Sequence, residues 1–91
     1  MKYSISLSSK FKKEAKKLSQ EDKTLAMEII NRLANDEVLE EKYCDHKLQG
    51  KLKDFRDCHI KPDLVLIYYK EEKKLVLTAL RIGSHSELYN K

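Results

Sequence analysis

Phe55-Arg56-Asp57-Cys58-His59-Ile60, then Lys61-Pro62-Asp63, then Leu64-Val65-Leu66-Ile67-Tyr68-Tyr69 is the stretch that decides the fold. Its first six residues alternate in character, as a half-buried strand does. Lys61-Pro62-Asp63 carries turn chemistry, and the continuous apolar run after it is typical of a central strand. Residues 70–74 make the next turn, and residues 75–82, rich in aliphatic and β-branched side chains, predict another strand. Ser84-His85-Ser86-Glu87 then has the spacing of a capping box, which opens a last, very short helix.

Upstream, Tyr3-Ser4-Ile5-Ser6-Leu7 alternates like a half-buried strand, and Ser8 or Ser9 supplies an N-cap for a helix. Phe11, Ala15 and Leu18 form its inward stripe. Lys10, Lys12, Lys13, Lys16 and Lys17 fan over the rest, which suits a solvated face and also suits contact with RNA or a ribosome. Ser19 and Asp22 resemble a capping box for a second helix with a broad stripe of Leu25, Ala26, Ile29, Ile30 and Leu33, ended by Asn35 and Asp36. Residues 35–47 lose periodicity and read as a charged loop carrying His46. The order strand, helix, helix, three strands predicts an α+β domain with helices on one face of a mainly antiparallel sheet.

With 91 residues there is room for a single core, so residues 1–91 are expected to form one domain. Nineteen Lys and Arg against fifteen Asp and Glu give a net charge of +4, which favours polyanions without choosing among nucleic acid, membrane surface and acidic protein. Cys44 and Cys58 make no CxxC pair. The N-terminus has neither a signal-peptide core nor a membrane span, so a reducing cytoplasmic setting with no membrane association is expected. Cys44, His46, Cys58 and His59 are potential metal ligands. Cys58 and His59 fall on opposite faces of their strand, however, so neither a metal site nor a cofactor is expected.

The three histidines each lie within two residues of an acid, a hydroxyl or a glycine. Histidine gives and takes protons near neutral pH, so this clustering points to metal-free acid-base chemistry on an anion. Strand alternation puts Asp57 and His59 on one face, away from the helices, with Cys58 and Ile60 toward the core. Such a pair also occurs on ordinary strand surfaces. Asp63, past the turn, is placed either to orient an imidazole or to cap the turn. His85 follows Gly83 at a helix start, and Arg81 is positioned to clamp a phosphate or to be a plain strand-end arginine. Tyr89, one turn beyond His85, suits base stacking or anchoring of the chain end.

Taken together, Asp45-His46-Lys47-Leu48-Gln49-Gly50, the block from Phe55 to Asp63, and Arg81-Ile82-Gly83-Ser84-His85-Ser86-Glu87-Leu88 resemble the YafQ family of toxins, within the RelE superfamily of bacterial toxin–antitoxin systems. The resemblance implies a RelE-like fold and a ribosome-dependent endoribonuclease that cuts mRNA in the decoding site. It also implies a cognate antitoxin that neutralises the toxin, with operator DNA contacted only through the toxin–antitoxin complex. By motif position the family's functional histidines fall on His46, His59 and His85, its acids on Asp57 and Asp63, its phosphate-binding arginine on Arg81 and its terminal aromatic on Tyr89. The chain departs from the family pattern at Tyr89, where Phe is commoner, at Leu52, often Trp, and in Asn90 and Lys91, which run past the usual end.

Metal-free RNA cleavage needs a base for the 2′-hydroxyl proton, an acid for the 5′ oxygen, and positive charge around the phosphorane. The expected assignment is His85 with either His46 or His59 as the acid-base pair, Asp57 and Asp63 orienting imidazoles, and Arg81 on the phosphate. The competing reading is a non-catalytic basic RNA- or DNA-binding module, or a co-repressor acting with its antitoxin. Salt-dependent binding without cleavage would mark either.

Overall fold

Ser8 ends the first strand and starts the first helix. In the computed structural model, which describes residues 2–48 and 55–89, β1 (Ser4–Leu7) stops where Ser8 Oγ accepts from Phe11 N at 3.0 Å, capping α1 (Ser9–Ala15). This helix closes at Lys16, earlier than its stripe suggests, and Leu18 packs on the core from the link to α2 (Gln20–Ala34). Half of the capping box expected there forms: Ser19 Oγ accepts from Asp22 N at 3.1 Å, whereas the Asp22 carboxylate takes Lys61 Nζ at 2.9 Å.

The end of α2 is marked by Asp36, in the left-handed region at φ 64°, with Glu37 N returning to Arg32 O at 3.1 Å. The Asp36 carboxylate meets Lys2 and Lys70 at 2.9 Å each. Those two ammonium groups hold its carboxyl down at about 2.

Residues 35–47 are not a plain loop. They contain a 3-10 turn (Glu41–Tyr43) and β2 (His46–Lys47), so His46 stands on a strand. Two paired residues are too few to leave a periodic signal. Then follow β3 (Arg56–Lys61), β4 (Leu64–Glu71), β5 (Val76–Gly83) and α3 (His85–Tyr89). Strand β4 outlasts its apolar run, so Lys70 is sheet rather than turn, and Leu75 belongs to the turn with φ 54°.

The strands order as β1-β5-β4-β3-β2, with β1 parallel to β5 and the other pairs antiparallel. Phe11 of α1 and Ala26, Ile29, Ile30 and Leu33 of α2 pack onto Cys58, Ile60, Leu66, Tyr68, Leu77, Ala79 and Ile82. These are residues of the helical stripes and of the strand alternation read from the sequence. The opposite sheet face carries Val65 and Ile67, which are also buried. Short helix α3 lies over that face, close enough that a Cβ on Gly83 would meet Glu87 Oε1 at 3.0 Å. Among the described residues no helix is long and apolar enough to cross a membrane.

Candidate functional site

Strand pairing lines up four residues laterally across the sheet on the face opposite α1 and α2. His46 of β2 pairs with Asp57 of β3, Asp57 with Ile67 of β4, and Ile67 with Arg81 of β5. One step along, His59 pairs with Val65 and Val65 with Gly83. Side chains opposed in this way lie about 5 Å apart at Cβ, so the residues of the row are side-by-side neighbours.

Arg81 reaches this face because of a bulge. Tyr68 pairs with Ala79 but Ile67 pairs with Arg81, which leaves Leu80 as an extra residue in β5. Ala79 and Ile82, three apart, both enter the core, and Arg81 falls on the side of Ile67. An unbroken strand would have put Arg81 on the same side as Ala79.

The centre of the row is Asp57, and here the structure corrects an expectation. Asp57 does lie on the face away from α1 and α2, but it is buried, at 4% exposure. The cover comes from α3, whose Tyr89 hydroxyl donates to Asp57 Oδ2 at 2.5 Å. Burial, then this bond and the charge behind it, push the phenol well above the ordinary tyrosine range, so it stays a donor. The other oxygen, Oδ1, lies 3.2 Å from His46 Nε2 but without hydrogen-bond alignment, and it has no other partner among the described residues.

His46 is exposed and its Nδ1 lies 3.2 Å from Lys47 O. A carbonyl can only accept, so Nδ1 carries the proton there. Nε2 is the ring nitrogen that faces the Asp57 carboxylate. The chain entering β2 is fixed by Asp45, whose Oδ1 accepts from Tyr68 Oη at 2.6 Å and Arg56 Nε at 3.3 Å.

At the other end of the row, Arg81 is not a loose strand-end side chain. Its Nε donates to both oxygens of Glu14 on α1, at 3.1 and 2.9 Å, and its Nη2 donates to Oε2 at 2.7 Å. These bonds hold the guanidinium pKa further up. The same carboxylate accepts from Ile82 N at 3.0 Å. Beyond Gly83 the full capping box forms, with Ser84 N to Glu87 Oε1 at 2.8 Å and Glu87 N to Ser84 Oγ at 3.2 Å. It starts α3, on which the rings of His85 and Tyr89 stand 4.6 Å apart at their centroids, tilted by 46°.

Of the expected residues, the structure brings His46, Asp57, Tyr89 and His85 into one chain of neighbours, with Arg81 in the same row. His59 is half-buried one step along. Asp63 is exposed in the β3–β4 turn, and no hydrogen bond joins it to an imidazole among the described residues. Gln49, Gly50, Leu52, Asn90 and Lys91 lie outside the described residues. The residue missed from sequence is Glu14. It sits among lysines on a helix, and its only distinguishing signal is being the single acid in that run.

The chain is similar to known proteins. The family model described as "Bacterial toxin of type II toxin-antitoxin system, YafQ" matches residues 3–90. The mRNA interferase toxin YafQ of Escherichia coli strain K12 is 45% identical over 47 residues, which cover 52% of this chain and 49% of that protein. The chain thus spans about half the length of that curated relative. Among solved structures, a copper-bound mutant toxin from Helicobacter pylori is 40% identical with a TM-score of 0.87, covering 96% of this chain and 99% of that one. The E. coli DinJ–YafQ complex is 33% identical with a TM-score of 0.83, covering 97% and 99%. Copper belongs to the Helicobacter protein. Here no three His, Cys, Asp or Glu among the described residues converge as a metal site, and Cys58 is turned into the core.

Proposed function

The chain belongs to the YafQ family of toxins of type II toxin–antitoxin systems, and on that premise we propose that it is an endoribonuclease cleaving mRNA on the ribosome by metal-independent acid-base chemistry. The observation that carries this reading is the lateral row His46–Asp57–Ile67–Arg81, with His85 and Tyr89 folded back onto it by α3. An imidazole facing a carboxylate, a second imidazole and a guanidinium on one face meet the needs of 2′-hydroxyl attack. One histidine removes the 2′ proton, another protonates the departing 5′ oxygen, and Arg81 stabilises charge on the phosphorane.

In this assignment His85 works with His46 or His59, and Asp57 orients His46. Asp63, without an imidazole partner in the free protein, would act only on bound substrate. The ribosome supplies what a domain this small lacks, an mRNA backbone held in geometry for in-line attack. Reaction on ribosomes places the working protein in the cytoplasm. A cognate antitoxin with an acidic segment is the expected inhibitor, covering or displacing Arg81, His85 and Tyr89, and operator DNA is contacted only through that complex.

The test is induced expression without a partner, with mapping of mRNA 5′ ends. Growth arrest with new ends inside reading frames is expected. Soluble protein with unchanged ends, but salt-dependent RNA binding, would replace this reading with the non-catalytic binding module.

A further inference from the structure

The contact between Glu14 and Arg81 is unusual in what it leaves open. A guanidinium offers two bidentate edges, one through Nε and Nη2 and one through Nη1 and Nη2. Glu14 occupies the first with both of its oxygens. No hydrogen bond from Nη1 is made among the described residues, so the second edge is available to an oxyanion.

Glu14 is itself held in place. Strand β1 pairs with β5 only from Val76 to Ala79, so among the described residues the outer edge of β5 beyond that point has no strand partner. There α1 takes over: Ser8 Oγ donates to Leu80 O at 2.7 Å, and Glu14 Oε1 accepts from Ile82 N at 3.0 Å. A carboxylate anchored by a backbone N–H cannot follow a moving arginine. It fixes that arginine against the sheet, and its side chain is only 20% exposed.

We infer that Glu14 is a positioning residue for cleavage: it holds Arg81 by the Nε–Nη2 edge so that the Nη1 edge meets the scissile phosphate. The inference rests on the reading above that Arg81 contacts the phosphate. Glu14 touches no reacting atom and acts through the guanidinium. It also removes the entropy cost of ordering a long side chain at the moment of reaction.

The experiment is single-turnover cleavage on programmed ribosomes at saturation with Glu14→Gln, Glu14→Asp, Arg81→Ala and the double variant Glu14→Gln/Arg81→Ala, each with its thermal midpoint. Gln keeps an oxygen for Ile82 N–H while breaking the bidentate contact, so the fold persists. Glu14→Gln is expected to lower the saturating rate by on the order of 10²-fold, the usual penalty of a misplaced group. Glu14→Asp should recover part of that loss. In the Arg81→Ala background Glu14→Gln should cause no further loss. An unchanged or faster rate for Glu14→Gln would overturn the inference, the faster rate showing that Glu14 masks the arginine. An equal loss in the Arg81→Ala background would overturn it too, by showing an effect through the fold. If Arg81→Ala alone cleaves at the wild-type rate, the phosphate role of Arg81 fails first, which a normal Arg81→Ala rate reports separately from any Glu14 result.

Discussion

The phenol of Tyr89 reaches back across 32 residues to donate to Asp57, tying the last described turn of the chain to the buried carboxylate at the middle of the sheet. Helix α3 has five residues and none of them is buried, so this bond and the capping box do much of the work of seating it. Tyr89→Phe keeps the ring against His85 and leaves an oxygen of Asp57 without its donor. A loss of about 1–3 kcal/mol in urea-denaturation stability is expected, the cost of an unsatisfied buried acceptor. An unchanged midpoint would mean that water replaces the phenol without penalty.

His85 is exposed on that same short helix, where the proposed proton transfer would need it. Replacing it with Ala should lower single-turnover cleavage by on the order of 10²–10⁴ while leaving the denaturation midpoint in place. Wild-type cleavage by this variant would remove His85 from the acid-base pair.

The two thiols should behave oppositely. Cys44 is exposed and Cys58 fully buried. Burial, with the charges of Asp45 and Asp57 adding to it, pushes the Cys58 thiol far above its ordinary range. Mass-resolved alkylation at neutral pH is expected to label Cys44 promptly and Cys58 only at the rate of unfolding. Labelling of both at one rate would contradict the core described above.

Asp36 gives a signed pH dependence. Lys2, then Lys70, lower its carboxyl from 3.8 to about 2 in the folded chain. A depressed folded value means stabilisation that is whole above the unfolded value and lost as pH falls from about 4 to about 2. The group is exposed, so the effect is small and screened by salt. Denaturation midpoints of the wild type and Asp36→Asn should therefore differ at pH 6 and low salt and converge near pH 2. A constant difference across that range would assign the effect to the backbone at Asp36 instead.

Much of this architecture is local and therefore legible in sequence. Alternation located β3, the apolar run located β4, and serine caps opened α1, α2 and α3, because each signal spans only a few consecutive residues. What escaped depends on residues far apart in the chain. The Asp57 face looked solvent-facing because nothing near it in sequence announces the return of Tyr89. Strand β2 is too short for any period. Glu14 meets Arg81 across 67 residues, and no local pattern encodes that meeting. The histidines were legible as a group only because they recur in motif blocks, and their spatial order came from strand register.

The bulge at Leu80 absorbs the residue that would otherwise put the two halves of β5 out of phase, and so lets Ala79 and Ile82 both face the core with Arg81 on the other side. A bulge adds one residue to one strand without changing its neighbour, so deleting it restores simple alternation. With Leu80 removed, Ala79 stays opposite Tyr68 and Arg81 opposite Ile67, so Leu77, Ala79 and Ile82 still face the core and Arg81 still faces away from it; what is lost is the Leu80 carbonyl that accepts from Ser8 Oγ. A residue inserted beside Leu80 in a strand already carrying one extra, or a bulge flattened with Leu80 retained, would instead turn Arg81 to the side of Ala79 and uncouple the core from the charged row. The bulge is therefore the one place in β5 where the chain length and the side on which the arginine stands are adjusted to each other.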